Sequence, residues 1–123
     1  MHTPSPRTSL QSAATALALL VAGMATAQAM TIREMRALEK QEKQGATYTD
    51  YYLVGVMEGA IEAHSQDVRN GAKPSICLNG RRLEPSIAKN LYTTELKRNA
   101  DLYEADMPVQ LVVTNALTTV YPC

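Results

Sequence analysis

The chain has 123 residues, and its 12 basic and 12 acidic side chains leave no net charge at pH 7. This length has room for a single domain. No run of Lys and Arg is longer than two residues, so nucleic acid is a poor expectation for a partner, because binding along a phosphate backbone requires a basic surface.

Residues 1–29 are predicted to be a signal peptide. A polar start with Arg7 is followed by an unbroken run of small and apolar residues over 12–27, and A-x-A occurs twice at its end. Cleavage is expected near 27/28 or 29/30. A retained membrane anchor is the alternative, but a spanning helix needs roughly 20 apolar residues and this run is shorter. We expect export across the inner membrane of a Gram-negative bacterium into the periplasm, with no stable membrane insertion after cleavage.

The remaining residues, 30–123, are expected to form one domain with a disulfide between Cys77 and Cys123. Export places both thiols in an oxidising compartment, and the domain has no third cysteine to compete for pairing. In the chain-entropy model, closing a loop of this length stabilises a fold by about 4 kcal/mol. Intermolecular pairing and two free thiols are the competing interpretations.

The patterns in this domain predict an all-α fold, a small bundle of about four helices. The first helix is expected at 32–44, because Thr31 and Glu34 form a capping box and the charged run after them stops at Gly45. The second, central helix is expected at 49–65, after the cap residues Thr47–Asp50, with apolar residues recurring at i, i+4.

The central helix contains Gly55 and Gly59, each of which costs up to about 1 kcal/mol relative to Ala in a helix interior. With Ala63 they form a ridge of small residues. We therefore expect another helix or a Tyr ring to pack closely against the backbone there. The same face is also compatible with self-association.

An irregular connection is predicted at 66–84, since Asn70-Gly71, Pro74 and Asn79-Gly80 are closely spaced turn signals. A third helix is expected at 85–98, with Pro85 in its first turn followed by an apolar stripe.

A fourth helix is predicted at about 107–120, after Asp106-Met-Pro108. Its inward residues are expected at helical spacing: Val109, Val112, Val113, Ala116, Leu117 and Val120. The β-branched content of LVVTNALTTV makes a strand the rival interpretation. A lone strand would leave its backbone groups unpaired, so a helix is favoured.

No residue pattern indicates catalysis, a metal site or another cofactor. His64 is the one histidine outside the signal peptide, and two oxidised cysteines supply neither zinc ligands nor a nucleophilic thiolate. We interpret His64 as a polar residue at the exposed end of the central helix. Glu58 and Glu62 lie at i, i+4, where a solvated face is favoured over an acid pair with separated pKa values.

The six tyrosines divide into two groups. Tyr52, Tyr92 and Tyr121 fall on apolar faces and are expected in the core. The other three, Tyr48, Tyr51 and Tyr103, are the freer candidates for a protein interface, where a Tyr ring supplies apolar area together with a hydrogen bond.

Three segments, YYLVGVMEGAIEA, the Ser75–Leu78 sequence SICL and the C-terminal LVVTNALTTVYPC, resemble the Tai/Rap group of type VI secretion immunity proteins. The likeness covers roughly residues 47–123, and Tyr121-Pro122-Cys123 is its most specific element. The resemblance implies a periplasmic helical protein, often a dimer, that binds a peptidoglycan-cleaving amidase effector and blocks its active site. It implies no enzymatic activity of this chain.

We accordingly expect a binding or inhibitor protein whose partner is a secreted cell-wall amidase. A small periplasmic stress chaperone, or a family member without a toxin partner, is the alternative. The two linkers between helices carry the partner-binding candidates, which are Asn70, Lys73, Arg81 and Arg82 on one and Asp101, Tyr103, Glu104 and Asp106 on the other.

Overall fold

The structure is a computed structural model that describes residues 29–41 and 43–123. The predicted signal peptide therefore lies outside the described residues except for Ala29. The helices are α1 (Ile32–Gln41), α2 (Gly45–Arg69), α3 (Ile87–Arg98) and α4 (Val109–Val120), with a short 3-10 helix at Ala100–Leu102. Within the described ranges, the only β pairing is a single bridge between Thr31 and Pro108. The prediction of a small all-α bundle is confirmed.

Helix α1 begins at the capping box that the sequence predicts. The backbone N–H of Thr31 donates to Glu34 Oε2 at 2.7 Å, and the N–H of Glu34 donates to Thr31 Oγ1 at 3.1 Å. The Thr31 hydroxyl also donates to Glu34 Oε2, at 3.0 Å, and the two bonds that Thr31 donates to this carboxylate hold the pKa of Glu34 below its usual value. The helix buries Ile32 and Met35 and ends at Gln41, three residues before the predicted end.

The predicted start of the central helix at residue 49 is wrong, because α2 begins at Gly45. Gly45 is buried, and a Cβ at this position would collide with the carbonyl oxygen of Leu38 in α1. Thr49 lies inside the helix, where its hydroxyl donates to the carbonyl of Ala46 at 2.9 Å. Gly45 thus permits the close approach of α1 and α2 in addition to marking the break between them.

At its other end, α2 continues to Arg69, beyond the predicted residue 65. Gly71 has φ +100°. Its N–H donates to the carbonyl of Val68 at 3.0 Å, and the N–H of Ala72 donates to Asp67 at 2.9 Å. This pair of bonds is a Schellman motif, in which a glycine in the left-handed region ends the helix.

Helix α4 supplies the centre of the core and is not a strand. Its buried residues repeat at i, i+3, i+4, i+7 and i+8, and they are Val109, Val112, Val113, Ala116 and Leu117. Val120 was expected to point inward but is 47% exposed, because it is the last residue of the helix and the buried part of this stripe ends at Leu117. Around α4 pack Leu53, Met57 and Ala60 of α2 and Ala88, Leu91 and Tyr92 of α3.

The start of α4 is joined to the start of α1 by backbone hydrogen bonds. The N–H of Val109 donates to Met30 at 2.9 Å, the N–H of Ile32 to Met107 at 3.0 Å and the N–H of Arg33 to Ala105 at 2.8 Å. These bonds satisfy donors that a helix start otherwise leaves unpaired. They also fix the segment before α4 against α1.

Gly55 and Gly59 do not mediate close packing within the domain, so that prediction is wrong. Both are exposed, and a Cβ built at either position meets no atom within 4 Å. The face of α2 that enters the core carries Leu53, Met57 and Ala60. The glycines lie on a different side of the helix, and that side faces solvent.

The disulfide between Cys77 and Cys123 is present, as predicted, with a Cα–Cα distance of 4.9 Å and 46 residues of sequence separation. Such a bond belongs to a non-reducing environment. Among the described residues, no helix is long and apolar enough to cross a membrane.

We predict that Cys77→Ser lowers the free energy of unfolding by about 2–4 kcal/mol, because the unfolded chain is no longer constrained by a closed loop. Urea unfolding of the oxidised protein and the variant measures the difference. Addition of a reductant should lower the stability of the wild-type protein by a similar amount and leave that of the variant unchanged. Equal stability of the wild-type protein with and without reductant would contradict this assignment.

We predict that Gly55→Ala raises the free energy of unfolding by up to about 1 kcal/mol, because alanine is the better helix former and the added methyl group meets open space. The matched control is Gly45→Ala, which should destabilise the protein because its methyl group collides with the Leu38 carbonyl. Thermal and urea unfolding compare the two. A stability loss in Gly55→Ala would show that this face of α2 is packed after all.

Candidate functional site

The eight predicted partner-binding residues lie on two separate linkers. Asn70, Lys73, Arg81 and Arg82 belong to the first linker, residues 70–86, and the other four belong to the second linker, residues 99–108. Helix α3 separates the two linkers, and its 12 residues span about 18 Å. The eight residues are therefore divided between two linkers that join opposite ends of α3.

The first linker is held to the helical body at several points, although it contains no helix or strand over residues 72–84. The disulfide joins Cys77 to the C-terminus. The N–H of Cys77 donates to the carbonyl of Tyr121 at 2.8 Å, just past the end of α4. Ile76 is buried in the core. The middle of this linker is thus fixed while its flanks are exposed.

His64 is a further anchor of the first linker. Its Nε2 accepts hydrogen bonds from the N–H of Ser75 at 3.4 Å and from the N–H of Ile76 at 3.3 Å. The imidazole must lack a proton on Nε2 to accept these bonds, so Nδ1 carries the proton in the neutral ring. His64 is half-buried. Sequence reasoning missed this role, because the bonds join residues 11 and 12 positions apart.

A tight turn presents the two arginines of the first linker. The N–H of Arg81 donates to the carbonyl of Leu78 at 3.0 Å. Between them, Asn79 has φ +53° and Gly80 has φ +77°. Positive φ at both central positions is the geometry of a type I′ turn, which Asn-Gly favours. Arg81 and Arg82 therefore follow a well-defined turn and are both exposed.

A groove of about 530 Å³ lies between α2 and this turn, and we call it the linker groove. Met57 and Ile61 of α2 and Leu78 and Leu83 of the first linker form its apolar part. Met57 is buried, and the other three are partly buried against the core. A concave surface with an apolar floor on fixed elements is typical of a binding site.

The charges at the linker groove are divided between its two walls. Glu58 and Glu62 lie on the α2 wall, and Arg81 and Arg82 lie on the linker wall. Glu62 pairs with Arg69 at 2.8 Å. Within the described ranges, neither arginine of the linker wall makes an ion pair. The arginines are thus available to an anionic group.

A second groove follows the linker groove along the same side of α2. Asp50, Tyr51 and Val54 of α2 face Pro85 and Lys89 across a volume of about 350 Å³. Lys89 Nζ lies 3.2 Å from Asp50 Oδ1. The ring of Tyr51 is 74% exposed, in agreement with its prediction as a free tyrosine. We call this depression the tyrosine groove.

The second linker is arranged differently. The hydroxyl of Tyr103 donates to Glu95 Oε1 at 2.7 Å and accepts from Asn115 Nδ2 at 3.0 Å, and Asn99 Nδ2 donates to the same Glu95 oxygen at 2.9 Å. Burial, and then the bond to Glu95, raise the pKa of Tyr103. Tyr103 is half-buried in this network, so it positions the linker and is not a free interface residue as predicted.

The three acidic candidates of the second linker, Asp101, Glu104 and Asp106, are exposed. Leu102 lies among them and is 65% exposed. The sequence did not single out Glu95, which is 4% exposed, because a lone glutamate in the third helix resembles any solvated charge.

The remaining tyrosines follow their predicted division. Tyr92 is buried, while Tyr52 and Tyr121 are partly buried against the core. The hydroxyl of Tyr92 has no hydrogen-bond partner among the described residues, and burial raises its pKa to about 12. Tyr48 is 49% exposed, and its hydroxyl donates to Gln44 Oε1 at 3.0 Å.

No three of the His, Cys, Asp and Glu side chains in the described part of the chain converge to hold a metal ion. Comparison with protein-family models, curated proteins and solved structures finds no match to this chain.

We predict that His64→Ala lowers the free energy of unfolding by about 1–2 kcal/mol, because two backbone donors lose their acceptor and one of them belongs to buried Ile76. The matched variant is His64→Gln, whose amide oxygen can accept at a similar reach and should recover part of the loss. Urea unfolding measures both. If the two variants were equally stable, the hydrogen bonds of His64 would not contribute to stability.

Proposed function

We propose that this protein acts by binding and inhibiting a secreted cell-wall amidase, in the manner of the type VI secretion immunity proteins that it resembles. The observation that carries the proposal is the first linker, an exposed segment without regular secondary structure that is nevertheless anchored by the disulfide, by His64 and by Tyr121. An anchored loop loses little conformational entropy on binding, and this favours tight association.

Inhibition of this kind requires no turnover by the inhibitor. Its loops occupy the substrate cleft of the amidase and exclude the peptidoglycan stem. Arg81 and Arg82, on a fixed turn beside an apolar groove, supply charged and apolar contacts close together. Arginines beside apolar anchors are frequent energetic centres of protein interfaces.

The proposed site of action is the periplasm. Peptidoglycan lies there, and the predicted signal peptide would direct the chain to it. The disulfide fits a non-reducing compartment of this kind. The family resemblance also implies a dimer, and self-association enters the proposal on that ground alone.

We predict that the exported, oxidised protein recovers a peptidoglycan amidase from secreted and periplasmic fractions of its own species, identified by mass spectrometry. The purified amidase should then lose its activity on peptidoglycan at an equimolar ratio of the two proteins, because the inhibitor occupies the cleft. A Cys77→Ser/Cys123→Ser variant should inhibit more weakly, since its first linker is no longer anchored.

Two results would contradict the proposal. One is that no cell-wall hydrolase is recovered. The other is that a recovered amidase keeps its full activity in the presence of excess inhibitor.

A further inference from the structure

The linker wall of the linker groove carries more positive charge than the carboxylates of the α2 wall balance. Four ionic side chains line it, namely Glu58, Glu62, Arg81 and Arg82. Arg69 already compensates Glu62, with 2.8 Å between the two groups. Glu58 alone is then left against two arginines, so the groove has a net positive character beside its apolar floor.

The two arginines make no ion pair within the described part of the domain. No carboxylate there lies within ion-pair distance of either guanidinium. The turn at Asn79-Gly80 fixes the backbone that carries them. A guanidinium presents its donors in a planar fork that matches a carboxylate, often through two parallel hydrogen bonds.

The apolar floor of the linker groove favours a ligand that carries an apolar group next to a carboxylate. Ile61, Leu78 and Leu83 are only partly buried by the domain. Covering such side chains releases water from apolar surface and contributes to binding. The chemistry of the groove therefore fits an acidic side chain that is flanked by apolar ones.

The two grooves along α2 set the size of the occupant. They are lined by α2 residues from Thr47 to Glu62, a rise of about 22 Å at 1.5 Å per residue. About seven residues of extended chain cover that distance. Tyr51 lies exposed in the tyrosine groove and offers a ring for a further apolar side chain.

We propose that the linker groove and the tyrosine groove together bind one segment of a protein partner, a segment that carries an aspartate or glutamate next to apolar residues. The carboxylate pairs with Arg81 and Arg82, and the apolar side chains cover Ile61, Leu83 and Tyr51. This inference rests on the proposed function for the identity of the partner, but its chemistry can be tested without the amidase.

A phage-displayed library of random dodecapeptides, selected on the exported and oxidised protein, provides the probe. The enriched peptides should combine Asp or Glu with neighbouring Leu, Ile, Val, Phe or Met. Arg81→Glu/Arg82→Glu should weaken the affinity of the enriched peptides at least about tenfold, because like charges then oppose each other in the groove.

The matched control is Lys40→Glu/Lys97→Glu. It makes the same change in net charge at two exposed lysines that line neither groove, and it should change the affinity less than about twofold. Thermal unfolding verifies that both double variants remain folded. Enrichment of peptides without acidic residues, equal weakening in the two double variants, or no enrichment at all would overturn the inference.

The other candidate occupant is a second copy of this chain, since exposed Leu102 lies beside Asp101 on the second linker. Sedimentation tests it. If the wild-type protein is a dimer that Arg81→Glu/Arg82→Glu converts to a monomer, the grooves are a self-interface and the partner assignment is overturned. Peptide binding as expected, with no amidase recovered, would leave this inference intact and remove the amidase as the partner.

Discussion

The covalent bond between Cys77 and Cys123 is the constraint on which the first linker depends. It ties the middle of a segment without helix or strand to the end of α4, the helix whose apolar stripe lies at the centre of the core. The backbone bond from Cys77 to Tyr121 and the two bonds to His64 act over the same short stretch. Together they fix residues 75–78, and the Asn79-Gly80 turn continues from that fixed point.

The two ends of the bundle are organised by different means. At the disulfide end, a covalent bond holds an exposed, arginine-bearing segment beside an apolar groove. At the other end, hydrogen bonds between side chains hold the second linker, because buried Glu95 accepts from Tyr103 and Asn99. A buried carboxylate needs such donors, since its desolvation is costly. The second linker is thus fixed by Tyr103, one of its partner-binding candidates. The first linker is fixed by Cys77 and by its contacts with His64 and Tyr121, none of which is a partner-binding candidate.

Local signals in the sequence predicted local structure well. The Thr31–Glu34 capping box, the Asn79-Gly80 turn and the fourth helix, predicted at about 107–120 and found at Val109–Val120, depend on residues close together in the chain, and all three occur. The disulfide was predictable because only two cysteines were available. Predicted helix boundaries were wrong where a tertiary contact determines them. Gly45 is an example, because it begins α2 and allows the helix to approach Leu38 in α1 closely.

The candidate site was predictable by segment but not by arrangement. The sequence identifies both linkers as exposed, yet it does not show the groove that the first linker forms with α2 or the network that Tyr103 makes with Glu95 and Asn115. Gly55 and Gly59 illustrate the same limit, because a row of small residues gives the same pattern on a buried face and on an exposed one. His64 bonds to residues 11 and 12 positions away, and no periodicity in the sequence encodes that contact.

Amide hydrogen exchange, followed residue by residue in the oxidised and the reduced protein, tests the central claim that the first linker is an anchored surface. In the oxidised protein the N–H groups of Ile76, Cys77 and Arg81 should exchange slowly, because each donates to a fixed acceptor. Reduction should speed their exchange more than that of the α2 amides around Leu53 and Met57. If these three amides exchange in the oxidised protein as fast as in an unfolded peptide, the first linker is not an anchored surface.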